Sequence, residues 1–129
     1  MSEIEREFKI AEECLEEAKN LFSSGYYRGS VSRAYYSMYH AAKALLLTKN
    51  ISPKTHAGVL RMLGLEFVNK NLLESTYSEV FQYAFTLRNE ADYTPDTDIS
   101  RERAEDVILS AESFLERIKR ALIELGWKV

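Results

Sequence analysis

Between Tyr26 and Lys49 apolar residues return on nearly every side of a helix: Tyr27, Val31, Ala34, Tyr35, Met38, Tyr39, Ala42, Leu45 and Leu46. A helix apolar all round must be enclosed by others. That one segment commits the chain to a bundle with a central helix. With 129 residues, 46% of them apolar and 29% charged, there is enough material for one domain, residues 1–129, with one core.

The flanking segments supply the enclosing helices. Ile4, Phe8, Ala11, Leu15, Ala18 and Phe22 recur in steps of four and three, with glutamates on the other faces, and Ser23-Ser24-Gly25 ends the run. After the connection Ile51–Lys54, Ser52 or Thr55 can cap a short third helix over His56–Asn69, with Val59, Leu60, Leu63 and Phe67 inward. A fourth helix is predicted over Leu72–Tyr93 and is closed by the Thr94-Pro95 step. Ser100 can cap the last helix, which Gly126 stops, leaving Trp127 to Val129 as a tail. No stretch alternates as a strand would. The predicted fold is all-α, an up-down antiparallel four-helix bundle with one additional short helix.

Composition narrows the functional classes. A net charge of −3 argues against general phosphate-backbone binding, so no DNA partner is expected and any anion site must be local. The longest apolar stretch, Ala41–Leu47, is short and carries Lys43, which speaks against a membrane span. The charged N-terminal stretch does not read as a secretory signal, and a lone cysteine, Cys14, fits a reducing cytoplasm. Scattered glycines form no phosphate loop. One cysteine and two distant histidines give no zinc spacing. Asp92, Asp96 and Asp98 lack the glycine and closing glutamate of a calcium loop. Neither metal nor cofactor is expected.

The polar residues inside apolar stripes are therefore the informative ones. Ser30, Arg33, Ser37 and His40 share one face of the central helix. They form either a polar seam that orders neighbouring helices or a ligand groove. Arg88 interrupts the apolar stripe of the fourth helix, and Asp92 lies one turn on, within pairing reach. His40 is either a hydrogen-bonded core histidine or a base, and His56 either caps and packs its helix or contributes chemistry. The tyrosines clustered on the second and fourth helices are mostly packing, with some rings expected to meet a partner.

Three segments carry a family resemblance. Tyr27-Arg28-Gly29-Ser30-Val31-Ser32-Arg33-Ala34-Tyr35-Tyr36-Ser37-Met38-Tyr39-His40 and its continuation to Leu46 resemble the central helix of the HEPN family (higher eukaryotes and prokaryotes nucleotide-binding). Lys54-Thr55-His56-Ala57-Gly58 and Arg88-Asn89-Glu90-Ala91-Asp92-Tyr93 match in order. The resemblance implies a bundle that is usually a homodimer. It also implies a common pairing with a small nucleotidyltransferase as toxin and antitoxin, the HEPN member being a metal-independent endoribonuclease. In those nucleases an arginine is followed about one turn later by a histidine. Arg88 matches the arginine and Asn89 the polar residue after it. Tyr93 stands roughly where the histidine would be, and no histidine follows His56. Tyrosine, with a pKa near 10, is a poor substitute at neutral pH. The resulting expectation is a protein that binds a nucleotide, an RNA phosphate or a nucleotidyltransferase through Arg33, Ser37, His40, Arg88, Asn89, Asp92 and Tyr93. Arg88 and His40 are the candidates for any catalysis. The alternatives are an active endoribonuclease and a purely structural interaction module.

Overall fold

The computed structural model describes all residues 1–129 and contains five α-helices and no strand: α1 Glu3–Ser23, α2 Tyr27–Leu47, α3 His56–Leu63, α4 Ser75–Tyr93 and α5 Arg101–Glu124. Their starts follow from local chemistry. The Ser2 hydroxyl accepts from Glu5 N–H, while the Glu5 carboxylate accepts from Ser2 N–H, a reciprocal cap on α1. The Ser100 hydroxyl caps α5 by accepting from Arg103 N–H at 3.1 Å. Of the two caps open to α3, Thr55 is used, accepting from Gly58 N–H at 2.9 Å. A Cβ on Gly58 would sit 2.9 Å from that hydroxyl, which accounts for glycine three residues after the threonine.

Cross-links fix the directions. Glu7 meets His40 and Lys43 while Ala18 meets Ser30, so α1 and α2 run antiparallel. Tyr35 meets Phe81 while Arg28 meets Ala91, so α2 and α4 do the same. Glu74 with Arg117 and Glu90 with Arg103 orient α4 against α5. The result is the up-down bundle. As its composition required, α2 is the hub, packing on all four other helices and burying eleven of its residues. No helix is long and apolar enough to cross a membrane.

Three details differ from the sequence-based expectation. The third helix ends at Leu63 and passes into a π-helical turn, Gly64–Val68, with Asn69 N–H donating to Gly64 C=O at 2.8 Å. Apolar spacing is blind to this, because Leu60, Leu63 and Phe67 keep the same stagger. The fourth helix begins at Ser75, not Leu72; Asn71 adopts a positive φ of 59°, which breaks the path between the two helices. Trp127 does not trail away, since its N–H donates to Leu122 C=O at 3.0 Å and its ring packs on the core.

Candidate functional site

The predicted polar face of α2 turns toward α1. Ser30 Oγ donates to Ala18 C=O at 3.0 Å, and Arg33 Nη2 reaches Cys14 Sγ at 3.1 Å and Glu17 Oε1 at 3.4 Å. His40 Nδ1 lies 2.7 Å from Glu7 Oε2, whose other oxygen faces Lys43 Nζ at 3.4 Å. Burial pushes the Glu7 carboxyl up, but the His40 bond and the Lys43 charge outweigh it and hold the group below the usual carboxylate range. Ser37 is fully buried, its hydroxyl donating to Ala34 C=O at 2.6 Å, and lies beyond the reach of a ligand. Four residues expected on one face are on one face, and that face is an interhelical seam.

A second polar cluster faces α3 and α4. Arg88, only 9% exposed, is held among aromatic rings, with its Cζ 5.1 Å from the centre of Tyr36, 5.6 Å from Tyr35 and 5.6 Å from Tyr93. Its Nη2 donates to Tyr36 Oη at 2.6 Å and its Nη1 to Asn89 Oδ1 at 3.1 Å. Nε lies 2.9 Å from Asp92 Oδ2, yet its N–H misses that oxygen and is left buried without a hydrogen bond. Asp92 and Tyr93 are exposed at the rim. Arg33 joins this cluster from the seam side, its Cζ 5.4 Å from the Tyr36 ring.

His56, first residue of α3, completes the cluster. Its Nδ1 shares a 2.6 Å hydrogen bond with Tyr35 Oη, and its ring stacks on Tyr39 with centroids 4.4 Å apart. It also meets the Tyr36 ring edge-on at 5.8 Å. His56 is half-buried, and its Nε2 has no protein partner and opens to solvent. Burial first, then the charges of Arg88, His40 and Lys43, hold His56 below its ordinary 6.5. Tyr35, fully buried, has its hydroxyl pushed well above the usual phenol range by burial and stays protonated.

Arg28 secures the floor of this region. Its guanidinium donates to the carbonyls of Ala91, Thr94, Pro95 and Thr97, tying the end of α4 and the loop behind Tyr93 to the start of α2. A surface groove of about 670 Å³ opens beside the cluster between α3, the π turn and α4; it shares Phe85 but neither Arg88 nor His56. Nowhere do three His, Cys, Asp or Glu side chains converge as metal ligands would. Sequence reasoning had singled out Arg88, Asn89, Asp92 and Tyr93, but not Tyr36 or Arg28, and it placed His56 at a helix start with no link to Arg88. The helix all of them meet was legible; the pairing of α3 with its aromatic face was not.

With this geometry in place, comparison with known proteins is decisive on kinship. The model of the HEPN domain matches residues 4–121. The chain belongs to the HEPN domain family. Among its relatives, the "Putative toxin MJ0605" of Methanocaldococcus jannaschii is 50% identical over 95% of this chain and 91% of that protein. The "Putative toxin MJ0142" of the same organism is 42% identical over 94% of this chain and 82% of its own length. A "UPF0332 protein" of Archaeoglobus fulgidus is 34% identical over 95% of this chain and 97% of that one. In this HEPN domain the arginine of the resemblance, Arg88, is therefore buried and aromatic-lined, and a tyrosine, Tyr93, closes its rim.

Proposed function

We propose that this HEPN protein binds the phosphate of a nucleotide or of single-stranded RNA at Arg88, as the RNA-directed member of a toxin-type module. The observation that carries the reading is the state of the Arg88 guanidinium. It is nearly buried, yet hydrogen bonds occupy only two of its five N–H groups, and its Nε–H has none. A planar fork with spare donors suits a phosphate. Tyr36, half-buried beside it, and the exposed Tyr93 at the rim are the aromatic rings against which a base could be held, as single-stranded nucleic acids are held on aromatic platforms. Arg33 leans over the Tyr36 ring from the seam side, though its guanidinium also meets Glu17.

The names of the two Methanocaldococcus relatives support the toxin part of the reading. A second copy of the chain and a small nucleotidyltransferase are the proposed partners, for which exposed rings such as Tyr93 offer contact surface. A cytoplasmic setting accords with the free thiol of Cys14. Binding alone is all this reading requires.

The test is fluorescence anisotropy with a labelled mixed-sequence single-stranded RNA. Arg88→Ala, checked for unchanged helicity, is expected to weaken binding by about 10- to 100-fold, the worth of charge-assisted hydrogen bonds. Arg88→Lys, which keeps charge and stem but not the fork, should fall between. Equal affinity of wild type and both variants would overturn the reading.

A further inference from the structure

At the end of the bundle away from Arg88, the last turns of α2 and α5 and the π turn enclose a pocket of about 420 Å³ that shares no residue with the Arg88 cluster. That volume lies within the range of small-molecule sites. Leu45 and Phe67, 1% and 3% exposed, form its floor, and Leu72 and Leu125, 49% and 57% exposed, stand at its mouth. Trp127 closes one side. It is there because Gly126 adopts a φ of 94° and turns the chain back, so that Trp127 N–H donates to Leu122 C=O at 3.0 Å.

Two groups in this apolar wall carry hydrogen-bond donors. The Thr48 hydroxyl is spent, donating to Leu45 C=O at 2.6 Å. Lys49 is not. Its Nζ donates one N–H to Glu66 C=O at 2.6 Å, lies 4.5 Å from the centre of the Phe67 ring, and has further N–H groups to give. Lys19, Lys43, Lys70 and Lys119 each pair with a carboxylate. Lys9, Lys54 and Lys128 do not, but they are exposed. Lys49 alone is half-buried with no ion pair, and a charge drawn out of water calls for a counter-charge.

We propose that this pocket binds a small amphipathic monocarboxylate, its apolar body between Phe67, Leu72, Leu125 and Trp127 and its carboxylate on Lys49 Nζ. Nearby acids set the charge of the head group. Glu66 is already held by Lys70 at 3.0 Å, and the exposed Glu124 stands at the rim. Two negative charges beside one ammonium accept a monoanion and work against a dianionic phosphate. The pocket thus differs in ligand class, as well as in place, from the phosphate reading of Arg88.

Trp127 is the one tryptophan of the chain and lines the pocket, so its emission reports on this site. Octanoate and phenylbutyrate are titrated into the full chain, beside octanol and octylammonium, which carry the octanoate chain length without charge and with the opposite charge. A saturable change in Trp127 emission is expected with the carboxylates. Octanoate should bind about tenfold more tightly than octanol, the worth of one charge-assisted hydrogen bond, and octylammonium more weakly than either. Lys49→Met keeps an apolar stem and removes the charge. It should bring octanoate down to the affinity of octanol and leave octanol where it was. On the wild type alone, added salt should weaken octanoate relative to octanol, so a Lys49 variant that failed to fold would not shield the proposal. No saturable response to either carboxylate, octanol bound as tightly as octanoate, or a preference for octanoate that survives in folded Lys49→Met would each overturn it. None of these results would touch the reading of Arg88.

Discussion

The two faces of α2 meet similar inventories of polar side chains and use them in opposite ways. Against α1, Ser30, Ser37 and His40 each find a protein partner, and Glu7 is shared by His40 and Lys43. Against α3 and α4, Arg88 Nε and His56 Nε2 are left without one. The seam's own loose donor, Arg33 Nε, lies at the border, on the side chain that also leans over Tyr36. Buried polar groups are ordinarily satisfied, so a buried guanidinium N–H that is not, beside a ring nitrogen open to solvent, marks a face held for something that arrives. Polar residues packed against a hub helix thus mark a site by their unfilled valences, not by their number.

If that contrast is sound, the two faces should also differ in what holds them. The open face hangs on Tyr35, which is fully enclosed and touches Tyr36, Tyr39, His56, Phe81 and Phe85. Tyr35→Ala should lower stability by about 3–5 kcal/mol, the range for losing a buried large ring, read as a drop in urea midpoint. Ser37→Ala, equally buried on the closed face, removes one hydroxyl whose acceptor is already in its own helix, and should cost about 1 kcal/mol or less. Comparable losses from the two would erase the distinction.

Acid should separate the faces next. His56 titrates lower folded than unfolded, so the unfolded chain binds its proton first and the folded state loses stability as pH falls below 6.5. Glu7 is likewise lowered, but from 4.5, so the seam weakens only below that value, together with Glu5, Glu66 and Glu74. His56→Gln should flatten the dependence of the urea midpoint on pH between 6.5 and 4.5. Glu7→Gln should leave that window alone and reduce the slope below it. A His56→Gln protein with an unchanged upper window would mean that the imidazole is not held neutral by the cage.

What the chain disclosed beforehand follows the same division between local and distant. Thr55, Ser100, Gly25 and Gly126 act within a few residues of themselves, and each start or stop they signalled lies where it was expected. Arg88 was legible because a charge on an apolar stripe is locally anomalous, and Asp92 because it is one turn away. His56 was not, since its meaning depends on α3 lying across residues 35 to 39 of α2, a contact no periodicity encodes. Nor could spacing tell that the Ser37 hydroxyl turns back onto its own helix. The π turn and the folded-back Trp127 were hidden for the same reason: neither changes the stagger of apolar residues.

The smallest expected effect is the most pointed. Asp92 is exposed, and its Oδ2 lies 2.9 Å from Arg88 Nε without accepting its proton. With Asp92 at the surface and its oxygen accepting no proton from Arg88, the contact contributes little to stability, so Asp92→Asn should shift the urea midpoint hardly at all. For an incoming phosphate, however, the carboxylate is a competitor for the same guanidinium and a like charge at the mouth of the site. Removing it should tighten binding of the labelled RNA by about fivefold, equivalent to about 1 kcal/mol of relieved repulsion. Glu7→Gln removes one negative charge from the other face of α2 and should leave RNA affinity where it was. If Asp92→Asn weakens binding instead, the carboxylate orients Arg88 rather than guarding it, and the open face is less open than its unfilled donors imply.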